Sequence, residues 1–169
     1  MELTKLFEVQ AGLKQHIGYK GEDKFSKMML AMLVEFMECA NDWRGFKYWS
    51  ENQQPKDTLL EEYVDGLHFV LETGLDLKEM GYVHELPKLV NPYRRGNTIE
   101  RQFQQVLFGT LQIQRVMKGG MFGAVVKEYM NLFEDFLELG RLLGFEPDQI
   151  HAAYMDKNEV NHQRQESGY

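Results

Sequence analysis

The chain has 169 residues, 43% of them hydrophobic and 27% charged, with a formal net charge of −7. That balance describes one folded domain over residues 1–169, globular rather than disordered or membrane-embedded. The acidity argues against a nucleic-acid surface, whose affinity rests on Lys and Arg neutralising phosphates. No apolar run approaches the roughly 20 residues that cross a bilayer.

The opening residues, MELTKLFEVQ, are charged and lack the apolar stretch of a signal peptide. The single cysteine, Cys39, precludes an intrachain disulfide and fits a reducing compartment. Together these predict a cytoplasmic protein without membrane attachment.

Helical periodicity dominates in chain order, and strand-like alternation is scarce. Residues 4–15 place Leu6, Val9, Gln10 and Leu13 at helical spacing, ending near Gly18 and Gly21. The most apolar stretch, from Asp23 to about Asp42, includes Phe25, Met28, Met29, Met32, Leu33 and Phe36, a circumference that predicts a central helix. Gly45 and residues 50–56, with Pro55, mark a turn. Asp57 or Thr58 is placed to cap a helix running through Tyr63, Leu67 and Leu71 to Gly74. Residues 84–97, HELPKLVNPYRRGN, read as an exposed connection. Helical spacing resumes from about Thr98 to Met117, breaks at Gly119–Gly120 and runs again from Phe122 to Leu143. Pro147 opens a last helix through Asn161. The prediction is an all-α bundle of about six helices.

Chemistry concentrates in two acidic pairs. Glu35 and Glu38 lie three apart on one predicted helix, and Glu62 and Asp65 repeat that spacing on the next. The short turn between them favours antiparallel packing, which can gather all four carboxylates into one patch. Like charges among apolar neighbours repel at a cost that a hard divalent cation removes, and carboxylate oxygens suit Mg²⁺. Mg²⁺ usually shares its shell with phosphates, so the arrangement points to nucleotide chemistry. A solvated helix face is the alternative reading of either pair alone; their repetition on successive helices favours the cation site.

Other candidates carry less. The five histidines and Cys39 lack zinc-type spacing, and there is no phosphate-binding glycine loop. His68 reads as a core group rather than a metal ligand, and Cys39 as buried and inert.

Taken together, the acidic pairs resemble those of the dimeric all-α dUTPase family, in which ExxE on one helix and ExxD on the next bind magnesium. Here these are Glu35-Phe36-Met37-Glu38 and Glu62-Tyr63-Val64-Asp65. The resemblance continues through His68-Phe69, through the aromatic-Lys-x-Trp cluster Phe46-Lys47-Tyr48-Trp49, and through residues 154–169, YMDKNEVNHQRQESGY. It spans Gln10 to Tyr169, with Lys14 where the family commonly has Asn or Asp.

The resemblance implies a homodimeric enzyme hydrolysing dUTP, with dUDP a further candidate, to dUMP and pyrophosphate. Glu35, Glu38, Glu62 and Asp65 would hold Mg²⁺, with Glu35 or Glu38 catalytic and Glu35 the preferred acceptor of the water's proton. Lys157, Asn161 and Arg164, spaced for one helical face, would meet phosphate oxygens, with Lys47 in support. Gln10 would read the uracil and Trp49 would wall the deoxyribose. The alternatives are a related dNTP pyrophosphohydrolase of other base preference, such as dCTP, and a non-catalytic helical binding protein.

Overall fold

The computed structural model describes residues 1–92 and 96–168; Tyr93, Arg94 and Arg95, in the predicted connection, and Tyr169, which ends the carboxy-terminal motif, lie outside them. Among the described residues there are six helices: α1 (Thr4–Ile17), α2 (Lys24–Trp43), α3 (Leu59–Glu79), α4 (Ile99–Lys118), α5 (Phe122–Leu142) and α6 (Pro147–Glu166). Among the described residues the only extended pairing is one antiparallel bridge between Glu2 and Leu89.

The helix at the centre is α3. It packs against α1, α2, α5 and α6, and Tyr63, Val64, Leu67, Val70, Leu71 and Leu77 are buried on successive sides of it. This corrects the expectation that the most apolar stretch, α2, is central. That helix buries Met28, Met29, Met32, Phe36 and Cys39 but leaves Leu30, Val34 and Met37 exposed, at 62%, 46% and 48%. Hydrophobicity around a helix cannot tell burial in one's own core from burial against another chain.

Gly74 does not end α3, which runs on to Glu79. A Cβ at Gly74 would lie 2.2 Å from the Tyr129 hydroxyl oxygen, so the glycine is there to let α5 cross closely. Gly66 works the same way between α2 and α3: a Cβ there would sit 3.0 Å from the Phe36 ring. That close approach draws the acidic faces of the two helices together.

Caps follow local chemistry. Thr98 accepts a bond from the Arg101 backbone N–H, and Glu146 with Gln149 forms a capping box around Pro147. Thr58 stands at the start of α3, but its hydroxyl donates to Asp42 instead of capping the helix. The connection after α3 is anchored rather than wholly exposed. Val83 and Val90 are buried, and the Leu3 N–H donates to the Lys88 carbonyl at 2.8 Å while the Met1 ammonium donates to the Val90 carbonyl at 2.8 Å.

Candidate active site

Because α2 and α3 pack tightly side by side, Glu35 from the first meets Glu62 and Asp65 from the second. One carboxylate oxygen from each lies within 4.8 Å of the others, and all three side chains are half-buried. Glu38 is exposed and falls outside that group, although its charge acts on both Glu35 and Glu62. Three of the four predicted acids are therefore brought together, with the fourth at the margin.

The electrostatics fit that crowding. Burial, then the charges of Asp65, Glu38 and Glu62, push the Glu35 carboxyl up to about 7. Glu62 is raised by burial and by Asp42, Asp65 and Glu38. Asp65 is raised by burial even though Lys157 pulls it down. Lys157, on α6, is buried and reaches Asp65 at 2.6 Å and Glu61 at 2.7 Å, a protein cation inserted beside the acids. Three hard oxygen donors raised first by burial, and at Glu35 and Glu62 also by neighbouring carboxylates, are a donor set that suits Mg²⁺.

Beside the acids opens a cleft of about 290 Å³. Glu35, Asp65, Asn161, Arg164, Gln10, His68 and Glu72 line it, with Leu13, Ile17 and Phe69 supplying apolar surface. Arg164 lies 3.5 Å from the Asn161 side-chain oxygen, and its charge acts on Asp65. The α6 face predicted from spacing thus converges on the acidic cluster and this cleft.

Gln10 is buried with most of its polar capacity committed. Its Oε1 accepts from the Tyr154 hydroxyl at 2.7 Å and lies 2.8 Å from His68 Nδ1, and its Nε2 donates to Glu72 at 3.1 Å. Glu72 is held in turn by Lys24 at 2.7 Å. Lys14 turns away from the cleft to pair with Asp76 at 2.7 Å and Glu79 at 2.5 Å. Lys47 and Trp49 are not among the cleft-lining residues: the Lys47 ammonium donates to Asn41 at 2.6 Å, and Trp49, 66% exposed, sits edge-on to Phe46 and Tyr48.

With this geometry in place, a family model described as dUTPase matches residues 2–169. The chain belongs to the dUTPase family. This dUTPase is a dUTP diphosphatase, an all-α hydrolase that converts dUTP to dUMP and pyrophosphate. Comparison with curated proteins found no match.

The cleft is also built by groups that spacing did not single out. Tyr154, Glu72 and Phe69 shape the cleft or hold its lining. Glu72 carried a usable signal, lying seven residues after Asp65 and so on the same helical face. Cys39 is buried, and burial with the charges of Glu62 and Asp42 pushes its thiol far up, as an inert core group requires.

Proposed function

We propose that this dUTPase is Mg²⁺-dependent, and that Glu35, Glu62 and Asp65, with Glu38 at the margin, hold the ions. The observation that carries this reading is the convergence of three carboxylates from two helices within 4.8 Å. When bound, Mg²⁺ would neutralise the cluster, engage the triphosphate oxygens and lower the pKa of an attacking water. Glu35, which belongs to the cluster and also lines the cleft, is placed to orient that water and accept its proton. Lys157 supplies positive charge beside Asp65, and Arg164 with Asn161 offers donors on the cleft wall for phosphoryl oxygens. Leu13, Ile17 and Phe69 give the nucleoside an apolar seat.

We also propose a homodimer. Leu30, Val34 and Met37 on α2 and Phe108 and Leu111 on α4 are exposed apolar side chains on helices that pack together. The turn bearing Lys47 and Trp49 exposes Phe46, Tyr48 and Trp49, so in a dimer Lys47 and Trp49 would act on the partner's cleft rather than their own. The buried, unpaired Cys39 fits the reducing cytoplasm, and dUDP is a second candidate substrate.

The direct test incubates the protein with each dNTP and Mg²⁺ and records which monophosphate forms. dUMP with pyrophosphate, lost on chelation of the metal and in Glu35→Gln and Asp65→Asn, is the expected result. Undiminished turnover by both variants would remove the cluster from the mechanism.

A further inference from the structure

The hydrogen bonds around Gln10 determine the state of a ring that the mechanism above leaves unused. The Glu72 carboxylate accepts from the Lys24 ammonium through one oxygen and from Gln10 through the other, so the Gln10 atom facing it is the amide Nε2. The other Gln10 atom is then the carbonyl Oε1, which accepts from the Tyr154 hydroxyl. His68 Nδ1, 2.8 Å from the same oxygen, must carry a proton and donate it. In a neutral ring this leaves Nε2 with a bare lone pair. Burial, with the charge of Lys157, pushes the imidazole down to about 3, so the ring is neutral at physiological pH.

That Nε2 has no hydrogen-bond partner, although His68 is only 5% exposed. An acceptor buried without a donor costs the fold free energy that a ligand's N–H or O–H restores. The ring cannot turn to find another partner, because it is clamped through Nδ1 and stacked on Tyr154 at 4.2 Å between centroids. His68 lines the cleft together with the apolar residues Leu13, Ile17 and Phe69. Gln10, whose Oε1 and one amide hydrogen are already engaged, has at most one N–H left to offer. The atom is shielded from solvent, so its donor must arrive with the occupant of the cleft.

Uracil has one ring donor, N3–H, between two carbonyl acceptors, whereas cytosine carries a lone pair at N3. We infer that His68 is the base-reading residue of this enzyme, its Nε2 accepting the N3–H of uracil, and that Gln10 is a positioning residue that sets the His68 tautomer. The inference rests on the assignment of this cleft to the nucleoside. It explains why Lys14 can stand where it does: the base is read from α3, and Lys14 is engaged with Asp76 and Glu79.

The decisive variant is His68→Asn. Its side-chain amide can still donate to Gln10 Oε1 but presents nothing at the Nε2 position. Steady-state kinetics on dUTP, dCTP, N3-methyl-dUTP and 2′,3′-dideoxy-UTP, for wild type and variant, separate the possible donors. The expected result is a fall of about 10- to 100-fold in kcat/KM for dUTP, with the preference for dUTP over dCTP and over N3-methyl-dUTP shrinking by a similar factor. The penalty for the dideoxy substrate should not change, nor should the melting temperature shift by more than a few degrees. Unchanged discrimination at N3 would overturn the proposal. So would loss of the dideoxy penalty alone, which would assign the acceptor to the sugar hydroxyl. A wild type that shows no dUTP turnover would instead overturn the functional reading on which the inference rests.

Discussion

Glu35 sits where burial and three neighbouring carboxylates all oppose its charge, and its carboxyl rises to about 7. A carboxyl raised in the folded state binds more protons folded than unfolded between about 4.5 and 7. Metal-free stability should therefore fall as pH climbs through that window and level off above it. Thermal melts in a chelating buffer will show a falling melting temperature from pH 4.5 to 7, and Glu35→Gln will flatten the slope and raise the metal-free melting point at pH 7.5. The same substitution should lower turnover by about 10²- to 10⁴-fold, the usual weight of a general base. A variant that is more stable yet inactive separates a functional acid from a structural one. At this scale the meeting of Glu35, Glu62 and Asp65 was legible, because three-residue spacing on two adjoining helices leaves side chains little choice of direction, while Glu38 stands at the margin. The bonding of Gln10 was not. That it would be surrounded by His68, Glu72 and Tyr154 depends on contacts spanning 58, 62 and 144 residues, which no local pattern encodes.

Between the residues and the whole molecule lies the packing of α3, where the sequence was read correctly for helix type and wrongly for length. Glycine ends helices often, and Gly74 was read that way, but its lack of a side chain serves the passage of Tyr129. Tyr129 is fully buried and donates to the Val70 carbonyl at 3.2 Å, so it cannot swing aside freely. Gly74→Ala should therefore destabilise the protein by about 1–3 kcal/mol in urea unfolding, despite alanine's better helix propensity. Adding Tyr129→Phe, which removes the clashing oxygen, should recover part of that loss. Pro147 marked the start of α6 correctly, and its extension to Glu166 carries Arg164 onto the cleft wall. A tail rich in Asn and Gln has no apolar stripe to announce that extension; docking against α1 and α3 supplies it.

The molecule as a whole places a positive α6 face over a negative pair of helices, with Lys157 bridging the two. The all-α architecture was legible from periodicity. The identity of the central helix was not, because the apolar surface of α2 exceeds what one copy of the chain buries. If that surplus serves self-association, Leu30→Asp with Val34→Asp should convert a dimer into monomers in sedimentation velocity at micromolar concentration, with the helical far-ultraviolet spectrum retained. A wild type already monomeric there would place the apolar stripe outside any homodimer interface.

The central claim is that Glu35, Glu62 and Asp65 form one divalent-cation site. Its most direct test is electron paramagnetic resonance of Mn²⁺ titrated into the protein with a non-hydrolysable dUTP analogue, comparing wild type with Glu62→Gln/Asp65→Asn. Protein-bound Mn²⁺ is expected in the wild type, with a loss of at least about ten-fold in affinity in the double variant. Equal binding by both proteins would contradict it.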